Sequence, residues 1–178
     1  MMREGAAVPD APPGTTFSLP SASILGPTGA VFLHRQNRPD TTTPRGLGFI
    51  DLSGNFRTIA VAGSPAPGGG VFSEFSFAFA MNNSGHLLFR GELGAAGTAY
   101  YLVDTNNPGA PPTRLIGTGD MVPLPEGGTA TVTSTSMIPV TGGQSGEPTA
   151  LSDTYLVLTV GIGNQQSAVI SVDLEDFL

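Results

Sequence analysis

The residues able to do chemistry are few. The 178-residue chain holds two histidines (His34 and His86), seven arginines and fourteen carboxylates, with no cysteine and no lysine. Without Cys there is no thiolate nucleophile, disulfide framework or zinc knuckle. Without Lys there is no Schiff-base chemistry and no Walker-type grip on phosphate. A hydrolytic triad needs Ser, His and carboxylate converging, and Gly143-Gln144-Ser145-Gly146 lacks the spacing of a nucleophile elbow. Both histidines fall in alternating apolar segments and are expected to face solvent. What remains is acidic. Glu74 and Glu92 are candidates for a glycosidase-like carboxylate pair, whose separation the sequence leaves open. Asp120 sits in a Gly-Asp turn of the kind that can join carbonyls around calcium. No Asp-x-Asp-x-Asp-Gly loop accompanies it, and the acidic run Asp173, Glu175, Asp176 reads as a solvated face. Neither a metal nor a cofactor is expected. Tyr100 and Tyr101 are the aromatic candidates for stacking on a sugar; as neighbours on a strand they point to opposite faces, so one at most is exposed. Tyr100, Tyr101 and Asp120 are therefore the candidate ligand-binding residues.

These side chains must be carried by strands. Ala30–Leu33, Leu47–Ile50, Thr58–Val61, Phe75–Phe79, Leu87–Phe89 and Tyr100–Val103 are short apolar runs rich in β-branched or aromatic residues. Arg114–Ile116, Thr131–Thr133, Tyr155–Val160 and Ala168–Val172 continue the series. Each is bounded by Gly, Pro, Asn or Asp, and none shows a capped 3.6-residue period, so the chain is expected to be all-β. Gly 25 and Pro 16 serve as turn punctuation between the runs. Pro65-Ala66-Pro67-Gly68-Gly69-Gly70 is no phosphate loop, because no Lys-Ser/Thr follows and proline removes amide donors.

The runs repeat. Gly29 and Gly85 lie 56 residues apart, as do Gly63 and Gly119, and Phe32 has a counterpart in Phe89. A period near fifty residues belongs to blade or array architectures. The reading is three four-stranded units: a half unit over 1–24, full units over 25–80 and 81–150, and a half unit over 151–178. Phe72–Phe79 serves as the fourth strand of its unit, with Phe72, Phe75, Phe77 and Phe79 on one aromatic face. A partial or compact β-propeller follows, because radial repetition protects sheet edges, with the terminal halves 3–17 and 151–172 expected to pair. A β-sandwich or a β-solenoid stack is the alternative.

Asn82, Gly85, Leu88 and Phe89, with the Gly119-Asp120…Pro123 and Gly63…Pro65 loops, resemble a bacterial tandem-repeat family. It is the family named for its Asn-x-x-Gly-x-x-Ala-Phe motif, found in large exported choice-of-anchor surface proteins. Leu88 stands where the family has Ala, Gly26 replaces Asn in the first copy, and Ser64 replaces Asp in the first loop. The resemblance implies a propeller-like stack, export to the cell surface, and further repeats in a longer parent chain. It implies no activity.

Charge narrows the partners. A net charge of −7 without a basic stripe disfavours nucleic acid. No apolar stretch approaches the roughly 20 residues of a bilayer span, so no membrane insertion is expected. An export signal is expected to lie outside this sequence, since Met1-Met2-Arg3-Glu4-Gly5 lacks an apolar central segment. The function expected is a non-catalytic extracellular module binding a protein or glycan through its loops at Pro39–Pro44, Asn106–Pro112 and Thr141–Pro148. The rival is an extracellular polysaccharide hydrolase or lyase with a loop-lined carboxylate pair.

Overall fold

The computed structural model describes residues 3–18, 20–136, 151–163 and 166–177. These form three antiparallel sheets and no α-helix. The first holds β1 (Thr16–Phe17), β2 (Ala22–Gly26), β3 (Gly29–Asn37), β4 (Arg45–Asp51) and β5 (Phe56–Val61). Its order is β1-β3-β4-β5, with β2 also on β3, so β1 and β2 together act as one interrupted first strand. The second runs β6 (Glu74–Met81), β7 (His86–Glu92), β8 (Thr98–Asp104), β9 (Thr113–Gly117), in that order. The third runs β10 (Met121–Pro123), β11 (Thr129–Ser136), β12 (Tyr155–Ile162), β13 (Gln166–Asp173). Every apolar run picked out by alternation lies on one of these strands.

Each sheet is entered through the same loop. Gly5 N–H bonds Phe17 O and Phe17 N–H bonds Ala6 O; Gly63 with Phe72 and Ser64, and Gly119 with Val132 and Asp120, repeat the pattern at 2.7–3.0 Å. All three glycines have φ between 78° and 92°, a left-handed conformation that other residues adopt only with strain. Phe17, Phe72 and Val132 are buried beneath their loops. A bulge falls at one place in both complete sheets, between Leu47 and Gly48 against β5 and between Tyr100 and Tyr101 against β9.

Hairpin register corrects the repeat alignment by one residue. Gly29 pairs with Asp51, His86 with Asp104 and Tyr155 with Asp173, so Gly29 corresponds to His86 and not to Gly85. The first and third hairpins turn through two residues, Pro27-Thr28 and Asp153-Thr154. The second turns through Asn83, Ser84 and Gly85, because Asn82 N–H bonds His86 O. Gly85 is the additional residue. Phe32 and Phe89 are equivalent, opposite Gly48 and Tyr101. A one-residue slip would exchange the faces of a strand.

With this register the sheets stack in one sense. Val31, Leu33, Leu47 and Phe49 of the first sheet meet Leu87, Phe89, Tyr101 and Val103 of the second. Leu88, Tyr100 and Leu102 on the other face of the second meet Leu156, Leu158, Val160 and Ile162 of the third. The middle sheet is thus buried on both faces, which is why Leu87–Phe89 and Ala99–Val103 read as unbroken apolar runs. The first interface is aromatic: Phe89 stacks on Tyr101 at 5.3 Å, and Phe72 meets Tyr101 edge-on at 5.1 Å. Burying such rings stabilises by about 2–3 kcal/mol each.

Two expectations about organisation are corrected. Phe72–Phe79 is no fourth strand of the preceding unit: β6 pairs with β7 and opens the next sheet. Phe75 and Phe79 do reach one core, whereas the Phe77 side chain lies outside the described residues. Among the described residues the terminal halves do not pair either. Residues 3–17 close onto the far end of β3, through Thr16 opposite Asn37, while β12 and β13 belong to the third sheet.

Candidate binding cleft at the turn end of the stack

The turns at one end of the three sheets are tied to one another. Asp51, Asp104 and Asp173 occupy the same place at the ends of β4, β8 and β13. Each carboxylate accepts a following backbone N–H: Asn55 at 2.8 Å, Asn106 at 2.8 Å and Glu175 at 3.0 Å. Asp104 and Asp173 bond the N–H two residues ahead, an Asx turn, and Asp51 bonds the one four ahead; each bond fixes the direction of the chain that follows. Sequence reading missed this landmark. Its signal was an apolar-Asp pair closing β4, β8 and β13: Ile50-Asp51, Val103-Asp104 and Val172-Asp173.

Cross-sheet bonds complete the ledge. Asn82 Oδ1 accepts His86 N–H at 2.7 Å, and its Nδ2 donates to Ser152 O in the third sheet at 2.9 Å. Ser84 N–H bonds the Asp153 carboxylate, and Asn106 Nδ2 donates to Ser84 O. The hydroxyls of Thr28 and Thr105 meet at 2.7 Å between the first and second sheets. Gly85 stands where these turns converge. A Cβ there would lie 2.7 Å from Thr28 Cγ2 and 2.9 Å from Asn106 Nδ2. Asn82 and Gly85, singled out as repeat-motif residues, therefore hold sheet to sheet.

Between the turn ends of the first and second sheets lies an open cleft of about 520 Å³. Its rim is polar, from Thr28, Asp51, Ser53, Asn55 and Asn106, and Phe56 lines its wall. Arg57 forms the floor. Its guanidinium sits 5.3 Å from the Phe49 ring centre and donates to Asp104 O and Asn107 O, both at 3.2 Å. Burial lowers the Arg57 pKa, and the Asp104 charge opposes that effect. Asn55, through its side chain and then its backbone, holds the Asp51 carboxyl below its usual range. The Asn106–Pro112 loop, expected as a recognition surface, supplies Asn106 and Pro108 to this cleft. Thr141–Pro148 lies outside the described residues.

The sequence-derived candidates sit elsewhere. Tyr100 and Tyr101 are both fully buried, one against each neighbouring sheet, so neither offers a stacking platform. The expectation that one could be exposed assumed a half-buried strand, and β8 is covered on both faces. Asp120 receives Arg114 in a two-pronged pair at 2.8 and 2.9 Å and accepts Gly117 N–H at 2.7 Å. It fixes the loop into the third sheet. Pro65 bridges to Val71, and Pro123 pairs with Thr129. His34 is buried, contrary to expectation, because it projects from the outer face of β3 among Phe17, Phe32 and Phe56. His86 is half-buried. Glu74 and Glu92 do come together as direct cross-strand partners, but Arg45 binds Glu74 at 3.3 Å and neither lines the cleft. Among the described residues no three His, Cys, Asp or Glu side chains group as metal ligands.

Compared with protein-family models, curated proteins and solved structures, the chain matches none.

Proposed function

We propose that this chain is a non-catalytic extracellular recognition module, built as three blades of a propeller-like array, that binds a glycan in the cleft beside Arg57. The observation that carries the reading is the cleft itself: about 520 Å³, open, and walled by turns that cross-sheet hydrogen bonds already hold in place. A preformed concavity with a few convergent polar groups is the usual form of a small-molecule site. Hydroxyl, amide and carboxylate groups on its rim, from Thr28, Ser53, Asn55, Asn106 and Asp51, suit saccharide hydroxyls. Export to the cell surface belongs to the same proposal and rests on the motif resemblance.

The test is calorimetric titration of the chain with a panel of bacterial extracellular polysaccharides, beside the variant Ser53→Arg. Ser53 is exposed on the turn, so the arginine fills the cleft without touching the core. Saturable binding that Ser53→Arg abolishes supports the reading. Binding unchanged by the variant, or no binding across the panel, refutes it.

A further inference from the structure

The three sheets differ at one edge. In the first two, the strand that ends in the capping aspartate is covered on its far side: β4 by β5 and β8 by β9. Their counterpart is β13, which pairs with β12 on one side and, among the described residues, with no strand on the other. The chain leaves β13 toward the second sheet, where Phe177 lines a small cleft with His86, Leu102 and Asp104. The free edge is therefore not covered by that segment.

Backbone phase decides which groups the edge presents. Leu174 N–H bonds Thr154 O, so in an antiparallel ladder the even residues of β13 turn their N–H and C=O toward β12. Ser167, Val169, Ser171 and Asp173 turn theirs outward. This edge lacks the devices that protect the others. The last strands of the first two sheets are bulged and carry Arg57 and Arg114, whereas β13 keeps register with β12 over eight consecutive pairs. It has no proline and no charge from Gln166 to Val172, and Val169 is 68% exposed. A long, flat, uncharged edge is a template for another strand.

We infer that β13 is the interface of a symmetric dimer, two copies joining β13 to β13 antiparallel. The pairing is self-complementary when centred on Ile170. Val169 then exchanges both backbone bonds with Ser171 of the second copy, and Ser167 does so with Asp173, so no like charges face each other. On the core side Ala168 meets Val172 and Ile170 meets Ile170. These three side chains are only partly buried within one chain, and the second copy covers them. A two-fold contact of one patch with itself is the commonest closed assembly.

Light scattering on the full chain, across a dilution series, tests this with two variants, Ser171→Pro and Val169→Lys. The proline removes an outward N–H and leaves the β12 ladder intact; the lysine places charge on the edge. The chain is expected to have the mass of two copies, and both variants that of one with unchanged far-ultraviolet dichroism. Hydrogen exchange gives a second readout: Val169 N–H is protected in the unaltered chain and exposed in Ser171→Pro, while Ile170 N–H stays protected in both. A monomer at every concentration overturns the inference. So does a dimer that survives both substitutions, or Val169 exchanging freely in the unaltered chain.

Discussion

Lowering pH from 7 toward 5 should destabilise this fold, and His34 should account for the loss. The His34 ring lies flat over Gly46, where even a Cβ would come within 2.7 Å of it, and Phe17, Phe32 and Phe56 surround it at 5.2–5.9 Å. Gln36 Nε2 donates to His34 Nε2 at 3.3 Å, which puts the neutral ring's proton on Nδ1, a buried atom with no partner. Nothing there stabilises an imidazolium, and burial lowers the pKa from 6.5 to about 4. The unfolded chain takes up the proton near pH 6.5 and the folded chain does not. Stability is thus complete above pH 6.5 and is lost as pH falls from there toward 4. By linkage the loss is about 2 kcal/mol between pH 7 and pH 5, and about 3 kcal/mol below the folded pKa. Asp40 and Asp51, held low by Thr42 and Asn55, titrate beneath this window. Urea unfolding at pH 7 and pH 5, on the unaltered chain and on His34→Phe, measures the effect. The variant should keep its stability across that interval. An equal loss in His34→Phe, or an NMR titration placing His34 near 6.5, would refute the reasoning.

Two further substitutions separate close approach from backbone strain and core from surface. Gly85→Ala and Gly54→Ala both force alanine to a φ above 80°, but a Cβ at Gly54 meets nothing within 4 Å while one at Gly85 meets two other turns. Thermal melts should show about 1 kcal/mol lost for Gly54→Ala and about 2–3 kcal/mol for Gly85→Ala; equal losses would mean the turns do not converge as described. Tyr101→Phe should leave stability within about 1 kcal/mol of the parent or raise it, since the buried Tyr101 hydroxyl has no partner and burial already raises its pKa. Glycan affinity should be unchanged in that variant, and a loss would return Tyr101 to the binding site.

Alternation and turn residues made the strands legible, and recurrence of the Gly-loop made the three sheets legible. Stacking was not. Tyr100 and Tyr101 pointed to opposite faces as any strand neighbours do, but nothing local shows that both faces are covered; that fact belongs to sheets supplied by Leu33 and Leu158, far along the chain. His34 misled for a related reason. Its burial depends on Gly46 and Gly48 of the neighbouring strand, which leave room for the ring and for Phe32 and Phe56 to lie flat on the sheet. The repeat slipped by one residue because Gly29 follows its turn whereas Gly85 is the last residue within its own. The extra residue in the second turn appears only when Gly29 and His86 are seen opposite the equivalent aspartates.

Those aspartates also explain where recognition can be placed. With both faces of the middle sheet committed to packing, surface variation is left to the outer faces and the turn ends. At the turn ends Asp51 and Asp104 give two loops the same start and different lengths: four residues over 52–55 and eight over 105–112. Doubling a loop costs only about 0.6 kcal/mol in closure entropy, so the length of the second loop is a small burden on a stack that buries this many rings. The added residues become the far wall of the cleft, and Arg57 clamps their backbone from the first sheet. A rigid base with a variable loop is the arrangement in which a binding surface can change while the sheets beneath it keep their register.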